Sequence, residues 1–412
     1  MINLIKYIPV ANSFVGLRII ENQIYFYYPE SFNFCEGNEK ENREQILKIL
    51  KTLTLTKKSL NNDTLNSKFA CDQCFPLLSY LWLIHDYSEN HRYFNREKTF
   101  SKDGNGKINW KKTINQIPFC SNENFVFPYF IKELKTNKDL LITDIYKYCV
   151  SQSIKIIGWL FNIPLDSYLQ TRRYNINEKN INLFIGEIRK ELLKTFEDNK
   201  RLRLSHMLNV LTGLDSNQIN SKELIFGVDK YDYIYEQMLD NIFSNVDDIK
   251  QYYPSANWSL ITDHLTKKSS NLRPDTIMLD KDNKKAFILD AKYYRFGTTF
   301  VREDLPETSS IQKQVTYGEY VKNVKLKDFM VYNAFLMPYN RFKENDYNFK
   351  GILEFIGIAK TDWKNDNVNK KVVGVLIDMN FIIDSWTKKN TSEINALCEL
   401  IEESTLNNKI FE

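Results

Sequence analysis

Two short apolar runs, Thr276-Ile277-Met278-Leu279 and Ala286-Phe287-Ile288-Leu289, constrain this chain more than any other feature. The polar run Asp280-Lys281-Asp282-Asn283-Lys284 separates them, which predicts a β-hairpin. Its open end carries Arg273-Pro274-Asp275 on one strand and Asp290-Ala291-Lys292 on the other. Side chains two apart on a strand share a face. Asp290 and Lys292 therefore project together, Ala291 points away, and Asp275 lies level with them.

Two carboxylates and an ammonium delivered to one place suit phosphodiester cleavage. That reaction needs a nucleophilic water, charge stabilisation on the phosphoryl oxygens and relief for the leaving oxygen, all of which a carboxylate-held cation can supply. Mg²⁺ keeps several waters, so one or two carboxylates plus a substrate phosphate suffice as ligands. Asp275 and Asp290 are the candidate ligands for Mg²⁺, with Mn²⁺ as a substitute. Lys292 would stand beside the attacking water, either as proton acceptor or as orienting charge. The alternative is a surface hairpin with ordinary turn charges. Phe287-Ile288-Leu289 argues against it, because charges at the tip of a core strand are costly unless paired or metal-bound.

At 412 residues the chain has the length for two domains. No apolar stretch approaches the length of a membrane span. The start, Met1-Ile2-Asn3-Leu4-Ile5-Lys6, lacks a secretion-signal layout, so a cytoplasmic location without membrane partners is expected. A net charge of +4 neither demands nor excludes nucleic acid. Cys71 and Cys74, with His85 and His91 downstream, loosely imitate a zinc spacing. The core-helix texture of Phe75 to Ile84 between them favours buried free thiols as the state of the six cysteines. No Gly-Lys-Ser or Gly-Lys-Thr loop, dinucleotide fingerprint or serine elbow is present. His264, near the hairpin, reads as structural.

Along the chain, residues 16–20 and 23–28 read as strands, and residues 41–58 and 66–90 as helices. Periodicity predicts helix over 139–163 and 180–212. The second of these carries Arg189, Lys190, Lys194, Lys200, Arg201 and Arg203. They form either a phosphate-contacting face or a solvated face partnered by Glu187, Glu191 and Glu197. From about residue 221 the texture changes. Residues 231–245 form an amphipathic helix, 295–308 a loop, and 310–324 a helix with a capping-box signature at Ser309 to Gln312. Strands follow at 328–336, 351–359 and 371–383, with a last helix at 391–403. This is an α/β layer pattern around a central sheet.

Arg273-Pro274-Asp275 with Asp290-Ala291-Lys292 resembles the PD-(D/E)xK nuclease superfamily. The wider string is similar to LlaJI-type restriction endonucleases, relatives of the nuclease subunits of McrBC-like systems. The similarity rests on Tyr235-Glu236-Gln237-Met238, Tyr253-Pro254 with Trp258, Leu289 to Tyr294, Leu305-Pro306, Ser309 to Tyr317, and Asn333 to Pro338. Looser likeness extends to Tyr28-Pro29-Glu30, Asp86-Tyr87 and Gly106 to Trp110. The resemblance implies a nuclease core over 221–412, a mixed central sheet flanked by helices. A mixed, largely helical recognition domain would occupy 1–220, subdividing near 60–65.

It further implies a type II-like restriction endonuclease that makes metal-dependent double-strand breaks and leaves 5′-phosphate ends. The alternative is a McrC-like subunit that needs a separate GTP-driven translocase. By analogy Glu236 would be an accessory acid near the metal, and Gln314 and Tyr317 would orient substrate or the lysine unless they merely pack on the sheet. Some relatives carry glutamate where this chain has Asp290. Candidate DNA contacts are Arg273, Tyr294, Tyr317, Arg172 and Arg173. Implied partners are double-stranded DNA, a cognate DNA methyltransferase, a second copy on DNA and a McrB-like GTPase. A non-catalytic DNA-binding protein that kept the hairpin as scaffold is the rival of another class.

Overall fold

The computed structural model describes the chain except residues 1–4, 12, 21–22, 54, 56–75, 91–95, 103–104, 122–123, 138–140, 162, 164–168, 170–179, 216–222, 260–265, 269–271, 364–366, 390 and 407–412. The chain divides into two compact units, residues 1–2 with 75–224, and residues 3–74 with 225–412. The chain opens with β1 (Ile5–Val10), β2 (Val15–Ile20), β3 (Gln23–Pro29) and α1 (Glu39–Thr52). β2 and β3 form the antiparallel pair that their polar turn predicts. Asn38 starts α1 by accepting the Glu41 amide on its side chain.

The unit of residues 75–224 is largely helical. It holds α2 (Leu77–Asn90), β4 (Arg96–Lys102), β5 (Lys107–Ile108), α3 (Trp110–Ile114), β6 (Phe119–Ser121), β7 (Asn124–Val126), β8 (Ile131–Asn137), α4 (Leu141–Ile157), α5 (Ile181–Lys194) and α6 (Asp198–Asp215). Tyr80, Leu83 and Ile84 of α2 are buried, as are Ile145, Cys149 and Val150 of α4 and Leu204, Met207 and Leu211 of α6. The helical block expected over 180–212 is two helices, because Thr195 turns extended (φ −103°, ψ 125°). Three of the cations there pair with acids. Arg203 grips the buried Asp86 carboxylate with Nε and Nη2 at 2.8 and 2.7 Å. Lys200 pairs with Glu191 and Lys190 with Glu187. Lys190 and Glu187 pair at the surface, Lys200 and Glu191 are half-buried, and Arg203 is part of the interior.

The strands between α2 and α4 were not expected from the sequence. β8 lies between β4 and β5 in a small sheet, and β6 pairs with β7. Among the described residues, no large apolar side chain between Tyr87 and Ile142 is buried. Such strands lack the one-sided burial that writes alternation into a sequence. Cys35 and Cys120 are exposed, against the expectation of buried thiols, while Cys149 is buried. Cys71, Cys74, His91 and His264 lie outside the described residues.

The other unit continues with β9 (Glu223–Val228), α7 (Asp232–Phe243), β10 (Asn257–Ser259), β11 (Thr266–Lys268), β12 (Thr276–Asp280), β13 (Lys285–Ala291), α8 (Phe296–Thr299), α9 (Thr308–Tyr320), β14 (Met330–Tyr339), β15 (Leu353–Ala359), β16 (Val372–Asp378), α10 (Met379–Ser385) and α11 (Thr391–Leu406). Its centre is a mixed sheet ordered β12-β13-β14-β16-β15. The inner pairs β13/β14 and β14/β16 are parallel, and the outer pairs antiparallel. Strands covered on both faces read as near-continuous apolar runs, which is why β13 and β16 were visible.

A linear boundary at 220 misplaces residues 3–74. β9 joins β1, β3 and β2 in one sheet, ordered β1-β3-β2-β9. The fit is close: a Cβ on Gly16 would meet the Phe226 carbonyl oxygen at 2.1 Å. The strand expected over 371–383 stops at Asp378, whose buried carboxylate accepts the Phe381 amide at 3.1 Å and starts α10. The 295–308 loop contains α8 and a 3-10 turn at Arg302–Asp304. The expected capping box is absent: α9 follows Glu307, whose backbone carbonyl receives Ser310 and Ile311.

Candidate active site

The hairpin brings its polar residues together as the spacing predicts. Thr276 stands opposite Leu289, so Asp275 falls beside the strand end that carries Asp290. Asp275 accepts the backbone amide of Ala291 on Oδ2 at 2.8 Å. Asp290 is 3% exposed, and its Oδ2 takes an ion pair from Lys292 Nζ. The backbone amide of Lys292 donates to Leu336 O of β14 at 2.9 Å, extending the parallel pairing past the end of β13.

Electrostatically the site is rich in negative charge. Burial, then repulsion from Asp290, then from Glu236, pushes the Asp275 carboxyl up to about 8. The Ala291 amide and the Lys292 ammonium only partly offset this. Burial, then Asp290 and Asp275, likewise raises Tyr317. Placing a cation between Asp275 and Asp290 would relieve the strain that burial and repulsion create. Among the described residues, however, no group of three or more His, Cys, Asp or Glu side chains is set to hold a metal. The expected three-carboxylate set is therefore not assembled. Glu236, half-buried on α7, reaches Asp275 through its field. Two carboxylates remain as donors, a set that fits a cation completing its shell with water and phosphate.

The remaining candidates divide. Gln314 is fully buried and donates to Ile288 O at 2.7 Å, while its Oε1 has no hydrogen-bond partner. It holds the strand that carries Asp290, in line with the packing alternative. The Tyr317 hydroxyl donates to Arg273 O at 3.0 Å and so braces the segment leading to Asp275. Arg273 and Tyr294 are exposed near the site in sequence. Arg172 and Arg173 lie outside the described residues.

Two contacts escaped the sequence reading. Asp240 accepts the Thr276 hydroxyl at 3.2 Å, and burial raises its carboxyl. Its spacing of four from Glu236 places both acids on one helix face, a usable signal. Tyr235 donates its hydroxyl to Leu336 O at 3.1 Å. Nothing in the sequence marks that long-range bond.

The unit is thus a mixed sheet flanked by helices, with a carboxylate pair and a lysine at one strand end. Residues 14–378 match the family described as LlaJI restriction endonuclease, and the chain belongs to that family. A Bacillus subtilis (strain 168) protein, "Type II restriction enzyme BsuMI component YdjA", is 24% identical over 354 residues, covering 83% of this chain and 75% of the relative. A chain of the Thermococcus gammatolerans McrB AAA+ hexamer assembly with bound McrC aligns over 94% of this chain and 83% of its own length, at 14% identity and a TM-score of 0.41. No helix among the described residues is long and apolar enough to cross a membrane.

Proposed function

We propose that this chain is a divalent-metal-dependent DNA endonuclease whose chemistry is carried by Asp275, Asp290 and Lys292. The observation behind this reading is the convergence of two carboxylates on one buried hairpin end, with the Lys292 ammonium on Asp290. Asp275 and Asp290 would hold Mg²⁺, or Mn²⁺ in its place. The cation would polarise the phosphoryl group and activate water.

The chain's own residues do the rest. The Ala291 amide fixes the rotamer of Asp275. With Asp290 engaged by a cation, Lys292 would face the attacking water, orienting it as an ammonium or accepting its proton as a neutral amine. Tyr317 keeps the Arg273-Pro274-Asp275 segment in place. In-line attack would leave 5′-phosphate and 3′-hydroxyl ends. Arg273 and Tyr294, both exposed, are the described candidates for contacting the DNA.

One observation favours action as part of a multi-component enzyme over a self-sufficient type II-like one. The Bacillus relative is named a component of its enzyme; the lack of a Gly-Lys-Ser or Gly-Lys-Thr loop in this chain fits both readings. A GTP-hydrolysing translocase supplied in trans fits that reading. A separately encoded methyltransferase and a second copy on DNA complete the expected system.

The test is cleavage of unmethylated supercoiled plasmid by the full chain in Mg²⁺, first alone and then with the GTPase component and GTP. Asp275→Ala, Asp290→Ala and Lys292→Ala should each abolish cutting while DNA binding persists. Undiminished cutting by all three would remove the assignment. Cutting by the chain alone would favour the self-sufficient enzyme.

A further inference from the structure

One carbonyl oxygen serves two groups of the site. Leu336 O accepts the backbone amide of Lys292 at 2.9 Å and the hydroxyl of Tyr235 at 3.1 Å. A carbonyl has two lone pairs, so both bonds form without competition. Tyr235 is the neighbour of Glu236 on α7, its ring is fully buried, and it packs on Tyr293 with centroids 5.4 Å apart. The same helix is tied to the other half of the hairpin, where the Thr276 hydroxyl meets Asp240 one residue after Asp275.

We infer that Tyr235 is a positioning residue. Its hydroxyl fixes α7 against the carbonyl that anchors Lys292, and so sets Lys292 and Glu236 relative to the Asp275–Asp290 pair. A buried tyrosine needs a partner for its hydroxyl, and partners elsewhere would satisfy that need equally well. This one fixes the register between the helix bearing Glu236 and the strand end bearing Lys292. Because both charges act on the carboxylate pair, a shift of either alters how tightly a cation is held. The Tyr235→Phe change keeps the ring and leaves no orphaned acceptor, since the Lys292 amide still uses Leu336 O.

The inference rests on the metal-dependent reading above, and a second tyrosine of the same segment provides the control. Tyr231 is also fully buried, but its hydroxyl pairs with Thr52 Oγ1 at 2.7 Å. Mn²⁺ binding to the full-length chain would be read directly by the loss of the free-ion EPR signal, for wild type, Tyr235→Phe, Tyr231→Phe and Asp290→Ala. Tyr235→Phe should weaken binding roughly 3- to 10-fold, below or at the low end of what partners of metal ligands usually contribute. Tyr231→Phe should bind as wild type, and Asp290→Ala should lose binding. Wild-type affinity in Tyr235→Phe, or equal weakening in Tyr231→Phe, overturns the positioning role while leaving the nuclease reading intact. Undiminished binding in Asp290→Ala, or none in wild type, overturns both.

Discussion

The Asp275 carboxylate accepts the backbone amide of Ala291, the residue between Asp290 and Lys292, at 2.8 Å. This bond locks the two strands of the hairpin at the point where their charges meet. It also holds Asp275 beside Asp290, where each carboxylate raises the free energy of the other. Two carboxylates held this close are thus destabilising when both are ionised. Asp275→Asn removes a charge while keeping an oxygen for the Ala291 amide. In EDTA at about pH 9, where Asp275 is ionised, the variant should melt a few degrees above wild type, at about 2–4 °C per kcal/mol. Below about pH 4, where the folded and unfolded carboxyls are both protonated, the difference should vanish. Cleavage should fall by more than about 100-fold. Equal melting temperatures at both pH values would show that the repulsion is not felt.

The same carboxyl sets a pH dependence for the metal-free protein. Its folded value, about 8, lies above its unfolded value of 3.8. The folded state therefore binds more protons across that window. The contribution is fully present below about pH 4 and is lost as pH rises toward 8, at no more than about 1.4 kcal/mol per unit. Saturating Mg²⁺ displaces the proton and should flatten the decline. Denaturant titrations between pH 5 and 8, with EDTA or Mg²⁺, read this directly, with Asp275→Asn as the flat control.

Gly318 on α9 lies against β14 where a Cβ would meet Asn333 Nδ2 and Oδ1 at 2.5 Å. Asn333 is 1% exposed, and its Nδ2 is committed to Asn369 O at 2.8 Å, so it has little freedom to yield. Gly318→Ala should therefore destabilise by about 1–3 kcal/mol despite the gain in helix propensity. The displaced helix also carries Gln314 and Tyr317, so cleavage should fall with stability. A urea midpoint unchanged from wild type would refute the close approach.

The hairpin was legible because each of its parts writes a local pattern. Buried strands appear as Thr276 to Leu279 and Ala286 to Leu289, a polar turn separates them, and Asp290 and Lys292 sit at strand spacing. Longer-range relations leave no such trace. The pairing that joins residues 3–74 to β9 depends on a close approach at Gly16, and the Tyr235–Leu336 bond spans 101 positions. Residues 96–137 fail for another reason. Ile117 is 89% exposed and Phe125 71%, so apolar residues there do not mark a buried face. Asp378 shows a third limit, because a strand end and a helix cap fell inside one apolar stretch, and only the cap's geometry separates them.

In the helical unit, buried and exposed cations can be told apart by substitution. Arg203 and Asp86 form a buried, two-pronged pair, with side chains 15% and 5% exposed, and Asp86 also accepts the Tyr146 hydroxyl at 3.0 Å. Removing Arg203 leaves Asp86 buried with its main counter-charge gone. Arg203→Ala should cost about 3–5 kcal/mol, seen as a lowered unfolding midpoint. Arg189 is exposed on α5, so Arg189→Ala should change stability by less than about 0.5 kcal/mol. If Arg189 meets phosphate, its loss should lower DNA affinity and reduce the salt slope by about one. Weakened DNA binding by Arg203→Ala with an unchanged midpoint would instead make that cation a DNA contact.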